Sequence, residues 1–230
     1  MNVAALVPAA GDGRNRQARG RKTPLLLGGR PLWEHTIERL ERCTRVQHIY
    51  PIVPPTEVKD VKARFLSEGN ESKVLEVFSS GLLRQDCIHK ALVKLEGLYD
   101  FILIHDGARP LVPIEVLERT ISAAEIHGAA IASVPVHDTL KAVTRDTFIA
   151  SSYDRRRLRS IQTPMVFRYD ILARAYGAAA NESFYASDEA VLVERIGERI
   201  KLVAGSQLNI YISNLEDLKL AQAILELNHP

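Results

Sequence analysis

Cysteine is nearly absent: Cys43 and Cys87 are the only two in 230 residues. Two cysteines build no disulfide framework, and no Cys/His spacing matches a zinc site. Net charge is equally scarce, +2 from 30 cations and 28 anions. That argues against a general nucleic-acid binder, which spreads its cations over a face. No apolar run approaches membrane-spanning length, and Met1-Asn2 leads straight into an apolar stretch, leaving no room for a signal peptide. A reducing cytoplasm, with neither membrane nor nucleic acid as partner, is the expected setting. Repeats and low-complexity linkers are missing too, as is any Ser or Cys nucleophile with a His base. What remains is a chain 46% hydrophobic, enough for one full core. It reads as a single domain over residues 1–230 with one excursion.

The positive content is concentrated at the start. Val3-Ala4-Ala5-Leu6-Val7 is a short apolar run that ends in Pro8-Ala9-Ala10-Gly11-Asp12-Gly13, the pattern of a buried parallel strand that stops abruptly. Gly11 and Gly13 let backbone N–H groups approach a ligand closely. Arg14, Arg16, Arg19, Arg21 and Lys22 then place five cations within nine residues. Cations just beyond the carboxyl end of a first strand suit a phosphate-rich ligand better than a solvated loop. Two familiar phosphate motifs fail here. Arg16 occupies the third glycine of a dinucleotide fingerprint, and Gly20 is followed by Arg21 rather than by the lysine of a P-loop.

Strand and helix signals alternate afterwards. Pro31 to Arg42 is a helix with Leu32, Thr36, Ile37 and Leu40 on one face, and His48 to Val53 is a strand. Thr56 is expected to cap a helix carrying Val58, Val61 and Phe65. Lys73 to Phe78 is a strand, Cys87 to Leu95 a helix, Phe101 to Ile104 a strand, Ile114 to His127 a helix and Ala130 to Pro135 a strand. Strands separated by such helices imply a mostly parallel, doubly wound sheet. The pattern breaks over residues 136–161, where Thr139 to Val143 and Phe148 to Tyr153 look like a hairpin poor in large apolar residues. Such a hairpin must pack on something, either its own domain or a partner subunit. A helix from Tyr169 to Ala180, another capped by Ser187, a strand Ile200 to Val203 and a last helix with a Ser213/Glu216 capping box complete the chain.

A second candidate constellation is His105-Asp106-Gly107-Ala108-Arg109-Pro110, at the carboxyl end of a central strand. Asp106 can hold a hydroxyl or a metal, and Arg109 can fork onto a phosphate; the pair can equally be an internal bridge that fixes the turn. His105 reads as packed rather than catalytic. Asp154-Arg155 reads as a surface ion pair, Thr163-Pro164 as a turn, and Asp188-Glu189 as the acidic first turn of a helix.

Together these residues resemble the 2-C-methyl-D-erythritol 4-phosphate cytidylyltransferase family. The resemblance rests on Pro8-Ala9-Ala10-Gly11-x-Gly13, Lys22, His105-Asp106-x-Ala108-Arg109-Pro110, Asp138-Thr139-x-Lys141, Asp154-Arg155, Thr163-Pro164, Asp188-Glu189 and Asn209-Ile210, in register over nearly the whole chain. It implies a Rossmann-like domain and a homodimer in which the hairpin arm of each subunit hooks the other. It implies CTP, accompanied by Mg²⁺, as nucleotide. Pro8, Ala9, Ala10, Gly11, Gly13, Gly81, Asp86 and Cys87 would form the nucleotide side. Lys22, Arg14 and Arg16 would carry the catalytic charge, with Arg155 supplied by the partner. Asp106, Arg109, Ser187 and Tyr211, with Thr163 supplied like Arg155 by the partner chain, would hold the acceptor; no metal ligand is assigned. The chain departs from the family at Asn15 (Arg in the family), Cys87 (Ser), Met165 (Gln) and Tyr211 (Lys). Those departures keep two alternatives open, a cytidylyltransferase for another polyol phosphate such as ribitol 5-phosphate and a non-catalytic paralogue.

Overall fold

The computed structural model describes residues 1–9, 25–67 and 69–227. In chain order the elements are β1 (Val3–Pro8), β2 (Leu26–Leu27), β3 (Arg30–Pro31), α1 (Leu32–Arg42), β4 (His48–Val53), α2 (Val58–Phe65), β5 (Phe78–Ser79) and α3 (Arg84–Lys94). Next come β6 (Phe101–Ile104), α4 (Ile114–His127), β7 (Ala129–Pro135), β8 (Lys141–Val143) and β9 (Ile149–Ser152). The chain closes with β10 (Arg159–Arg168), α5 (Tyr169–Asn181), α6 (Glu189–Arg195), β11 (Lys201–Ala204) and α7 (Leu215–Leu227).

Seven strands form one sheet in the order β11-β7-β10-β6-β1-β4-β5, and every pair is parallel except those made by β10. Both faces are covered, which is why β1 and β6 read as unbroken apolar runs rather than alternating ones. Along β1 the side chains still take sides by pleat. Val3, Ala5 and Val7 join Ile37, Leu40, Val61, Val116 and Ile121 from α1, α2 and α4. Ala4 and Leu6 join Ile88, Leu92, Leu172, Tyr176 and Leu192 from α3, α5 and α6. The expected doubly wound, mostly parallel α/β sheet is what forms.

Several local expectations are corrected. Of the strand expected over Lys73 to Phe78, only a single bridge from Val74 to Ile49 and the short β5 pair with β4. The Leu75 N–H still bonds the carbonyl of Ile49 at 3.2 Å, but its side chain is 56% exposed, and the pairing does not run on continuously to β5. Thr56 does not cap α2; Glu57 precedes that helix with no side-chain cap bond. The largest surprise is β10, a ten-residue strand through the place where Thr163-Pro164 reads as a turn. It lies antiparallel between β6 and β7, and its register on β7 breaks between Ile161 and Met165. Pro164 has no N–H to give the ladder, so a strand containing it shows an irregularity there. The hairpin forms as β8 and β9, and nearly all of its strand residues are exposed.

Gly128 ends α4 in the left-handed region, φ 81°, and its N–H bonds the carbonyl of Ala124 at 2.7 Å. A Cβ there would meet Ile171 Cδ1 at 2.8 Å, whereas Gly197, also at φ 81°, has open space around it. Gly197→Ala is therefore expected to cost about 1–2 kcal/mol from backbone strain alone, and Gly128→Ala more, since Ile171 must also move. Urea unfolding of the two variants checks this; an equal or smaller loss at Gly128 would mean that Ile171 repacks freely.

Candidate active site

The strand order reverses around β1, whose neighbours β4 and β6 lie on either side of it in the sheet. In open α/β sheets the crevice beyond the carboxyl ends of the strands at such a point is where ligands bind. Here it is a cleft of about 230 Å³ lined by Pro8 and Ala9 after β1, by Asp106, Ala108 and Arg109 after β6, and by Arg84 at the start of α3. Thr163 and Met165 of β10, Ser187 and Asp188 before α6, and Tyr211 before α7 complete the wall. Glycine is needed at 107 because the turn packs directly on the end of β1. Its N–H bonds the carbonyl of Pro8 at 2.9 Å, and a Cβ there would press on Ala9 at 3.1 Å.

Asp106 is held on all sides. Its backbone N–H donates to Thr163 Oγ1 at 3.0 Å, and that hydroxyl lies 3.4 Å from Asp106 Oδ2. The Arg109 Nε is 3.5 Å from Oδ2, and Arg84 Nη2 is 3.3 Å from Oδ1. Arg109 also donates from Nη1 to the carbonyl of Asn209 at 2.7 Å and stacks on the Tyr211 ring, 5.4 Å from its centroid. Burial lowers the pKa of Arg109 below its usual value, with Asp106 opposing it. Asn209 is itself buried and donates from Nδ2 to the carbonyl of Thr163 at 2.7 Å. Gln162 donates to the carbonyl of Ser206 at 2.9 Å beside it. The loops carrying Asp106 and Tyr211 are thus bonded to each other and to Thr163 of β10 in the sheet.

His105 is packed as expected: it is fully buried, and Nε2 lies 3.1 Å from the carbonyl of Arg109. Burial pushes its pKa down to about 4. Ser187 lines the cleft but does not cap α6. Asp188 does, accepting from the backbone N–H of Val191 at 3.2 Å. The cap of α7 likewise differs from the Ser213/Glu216 box: Asn214 Oδ1 accepts from the N–H groups of Glu216 and Asp217, and Asp217 reaches back to Ser213. Asn, Asp and Ser cap about equally well by type; Asp188 caps α6 because it, and not Ser187, occupies the extended residue immediately before the helix.

The structure brings together Pro8, Ala9, Asp106, Arg109, Ser187 and Tyr211 of the anticipated site. Thr163 joins them from the same chain rather than from a partner, because β10 pairs with β6 and sets its hydroxyl against the backbone of Asp106. Gly81 lies just before α3, and its N–H points at Cys87 Sγ, 2.8 Å away, while that thiol donates to the carbonyl of Leu83. Asp86 stands in the first turn of α3, and neither it nor Gly81 or Cys87 lines the cleft. Arg155 sits on a 3₁₀ turn at the base of the arm, donating to the carbonyl of His137, outside its own chain's cleft. Asp154 pairs with Arg156 rather than with Arg155. Ala10, Gly11, Gly13, Arg14, Asn15, Arg16 and Lys22 lie outside the described residues. Sequence reasoning missed Arg84, which belongs to no motif, and Gln162, whose role appears only when β10 is seen as a strand.

A family model described as 2-C-methyl-D-erythritol 4-phosphate cytidylyltransferase matches residues 3–227. The chain belongs to this family. Proteins named 2-C-methyl-D-erythritol 4-phosphate cytidylyltransferase from Syntrophotalea carbinolica and Geobacter metallireducens are 40% and 37% identical to it. The first alignment covers 98% of this chain and 97% of the relative, the second 98% of each. The same architecture is found in the crystal structure of a 4-diphosphocytidyl-2C-methyl-D-erythritol synthase from Anaerococcus prevotii, with TM-score 0.86 at 25% identity, covering 98% of this chain and 96% of that one. The Thermus thermophilus 2-C-methyl-D-erythritol 4-phosphate cytidylyltransferase structure gives TM-score 0.78 at 29% identity, covering 98% and 100%. In this cytidylyltransferase-family cleft, Arg84 and Arg109 both face Asp106, and Arg84 is paired behind the cleft wall with the buried Glu189.

The buried His105 predicts an acid-side loss of stability. The unfolded chain binds its proton near pH 6.5 and the folded chain only near 4. Stability is therefore full above about 6.5 and falls as pH drops from there through 4, by up to about 3 kcal/mol. His105→Asn should flatten that part of the Tm-versus-pH curve; an unchanged slope in the variant would assign the acid loss to carboxylates instead.

Proposed function

We propose that the chain transfers the cytidylyl group of CTP to 2-C-methyl-D-erythritol 4-phosphate, giving 4-diphosphocytidyl-2-C-methyl-D-erythritol and pyrophosphate. The observation that carries this reading is the convergence of Asp106, Arg109 and Thr163 on one cleft at the point where the strand order reverses, in a chain of the cytidylyltransferase family. An oxygen of the acceptor's phosphate attacks the α-phosphorus of CTP in line. The bond from that phosphorus to the bridging oxygen breaks, and pyrophosphate leaves. Such a reaction asks the protein for placement and charge rather than for a covalent intermediate. Asp106 and Thr163 offer acceptors for the hydroxyls of a polyol, and Arg109 offers N–H donors to a phosphate. CTP would be taken as its Mg²⁺ complex, the ion offsetting charge on the triphosphate; among the described residues there is no cluster of three or more His, Cys, Asp or Glu side chains that could hold a metal. Arg14, Arg16 and Lys22 are assigned to the charge on the triphosphate.

Pyrophosphate release measured with CTP and 2-C-methyl-D-erythritol 4-phosphate, with ribitol 5-phosphate in parallel, tests the reading. Preferred turnover of the first supports it. Preference for the second reassigns the acceptor, in keeping with a neutral Tyr211 in the acceptor wall. Release with neither, despite CTP binding, leaves a nucleotide-binding paralogue.

The arm is assigned to a homodimer in the cytoplasm. Phe148, Ile149 and Val143 are 73%, 67% and 62% exposed, so the hairpin's few large apolar groups gain nothing from their own domain. Arg155, at the base of the arm, is then free to serve the neighbour's cleft. Deleting Thr139 to Ser152 is expected to give monomers with acceptor KM raised at least about tenfold; an unchanged dimer by sedimentation removes the assignment. Among the described residues no helix is long and apolar enough to cross a membrane.

A further inference from the structure

We propose that Arg84, braced from behind by the buried Glu189, is a positioning residue that holds the Asp106 carboxylate in the orientation acceptor binding requires. The proposal rests on the acceptor role assigned to Asp106 above. Arg84 is the first residue of α3, immediately after the turn that carries Gly81. Its guanidinium bridges two carboxylates from two other parts of the chain: Nη1 is bonded to Glu189 Oε1, and Nη2 lies 3.3 Å from Asp106 Oδ1. A planar fork can span both at once, which the point charge of a lysine cannot.

Glu189 is the less expected member. It is 1% exposed and does not line the cleft. Its Oε1 also accepts from the Tyr176 hydroxyl at 3.1 Å, and Oε2 has no hydrogen-bond partner among the described residues. A carboxylate buried this way, with one oxygen unsatisfied, does nothing for the core that an apolar side chain would not do better. What it does do is fix the guanidinium. Burial alone would lower the Arg84 pKa, yet Glu189 and Asp106 together push it above its usual value, so the guanidinium stays charged despite its burial. Arg84 then balances Arg109 across Asp106, one guanidinium toward each oxygen. Without it, Asp106 is free to swing fully onto Arg109, and both groups are lost to the ligand.

A double-mutant cycle on the full-length protein separates this from a direct contact between Arg84 and ligand and from a general structural effect. Wild type, Arg84→Lys, Glu189→Gln and the double variant are assayed for KM of acceptor and of CTP separately. Each single variant is expected to raise acceptor KM at least about fivefold with CTP KM within about twofold, and the double variant to be no worse than the poorer single. Should Glu189→Gln fail to fold, Tyr176→Phe, which removes only a hydroxyl from Glu189, is expected to shift acceptor KM in the same direction by about two- to threefold. Unaltered acceptor KM in Glu189→Gln, a multiplicative double variant, or parallel loss of CTP affinity overturns the proposal while the functional reading stands. Absence of wild-type turnover with every polyol phosphate overturns the reading and the proposal together.

Discussion

Asp106 leaves the sheet at the end of β6 with a guanidinium facing each carboxylate oxygen, one from the turn it belongs to and one from α3. The rest of the cleft is arranged to keep it there. Thr163 comes from β10, Asn209 and Tyr211 from the segment before α7, and Gly107 from the turn after β6 that packs on Pro8 and Ala9. A carboxylate between two partly desolvated cations is worth little if it wobbles, because a small displacement trades one hydrogen bond for another. Rigid strands on both sides of it, and a loop bonded to loops, remove that freedom.

The sheet that supplies this rigidity is buried on both faces. Its cost is that parallel strands need a helix for each return, and here α1, α2 and α4 cover one face while α3, α5 and α6 cover the other. The antiparallel β10 departs from that rule and is also the strand that delivers Thr163 to the cleft. A parallel strand at that place would point its carboxyl end, not its middle, at the ligand. The irregular register around Pro164 is the point at which the strand is free to present a hydroxyl rather than to continue pairing.

The alternation of elements was legible because a strand covered on both faces shows as a continuous apolar run, and Phe101 to Ile104 or Ala130 to Pro135 admit few other readings. Caps were less legible. Ser187, Ser213 and Thr56 are plausible caps by type, but Asp188 and Asn214 stand next to the first two and do the capping. Competition between adjacent candidates turns on backbone angles of a single residue. Edge strands were overread for a related reason: Lys73 to Phe78 has strand composition, but only a covered edge would hold its full length.

By itself the order of residues determined the doubly wound architecture, the place of the ligand crevice beyond β1 and β6, and the membership of Asp106, Arg109 and Tyr211 in one site, since these depend on local patterning and on motifs in register. That Thr163 of the same chain completes the site was decided by the antiparallel pairing of β10 with β6, which no local pattern shows. Only the tertiary structure decided that Arg84 and Glu189 stand behind Asp106, 22 positions after Arg84 and 83 before Glu189. It also decided that Tyr211 lies over the guanidinium of Arg109. An ion pair between side chains so far apart leaves no periodic trace, because its partners are chosen by the distance between elements in the packed fold and not by their spacing along the chain.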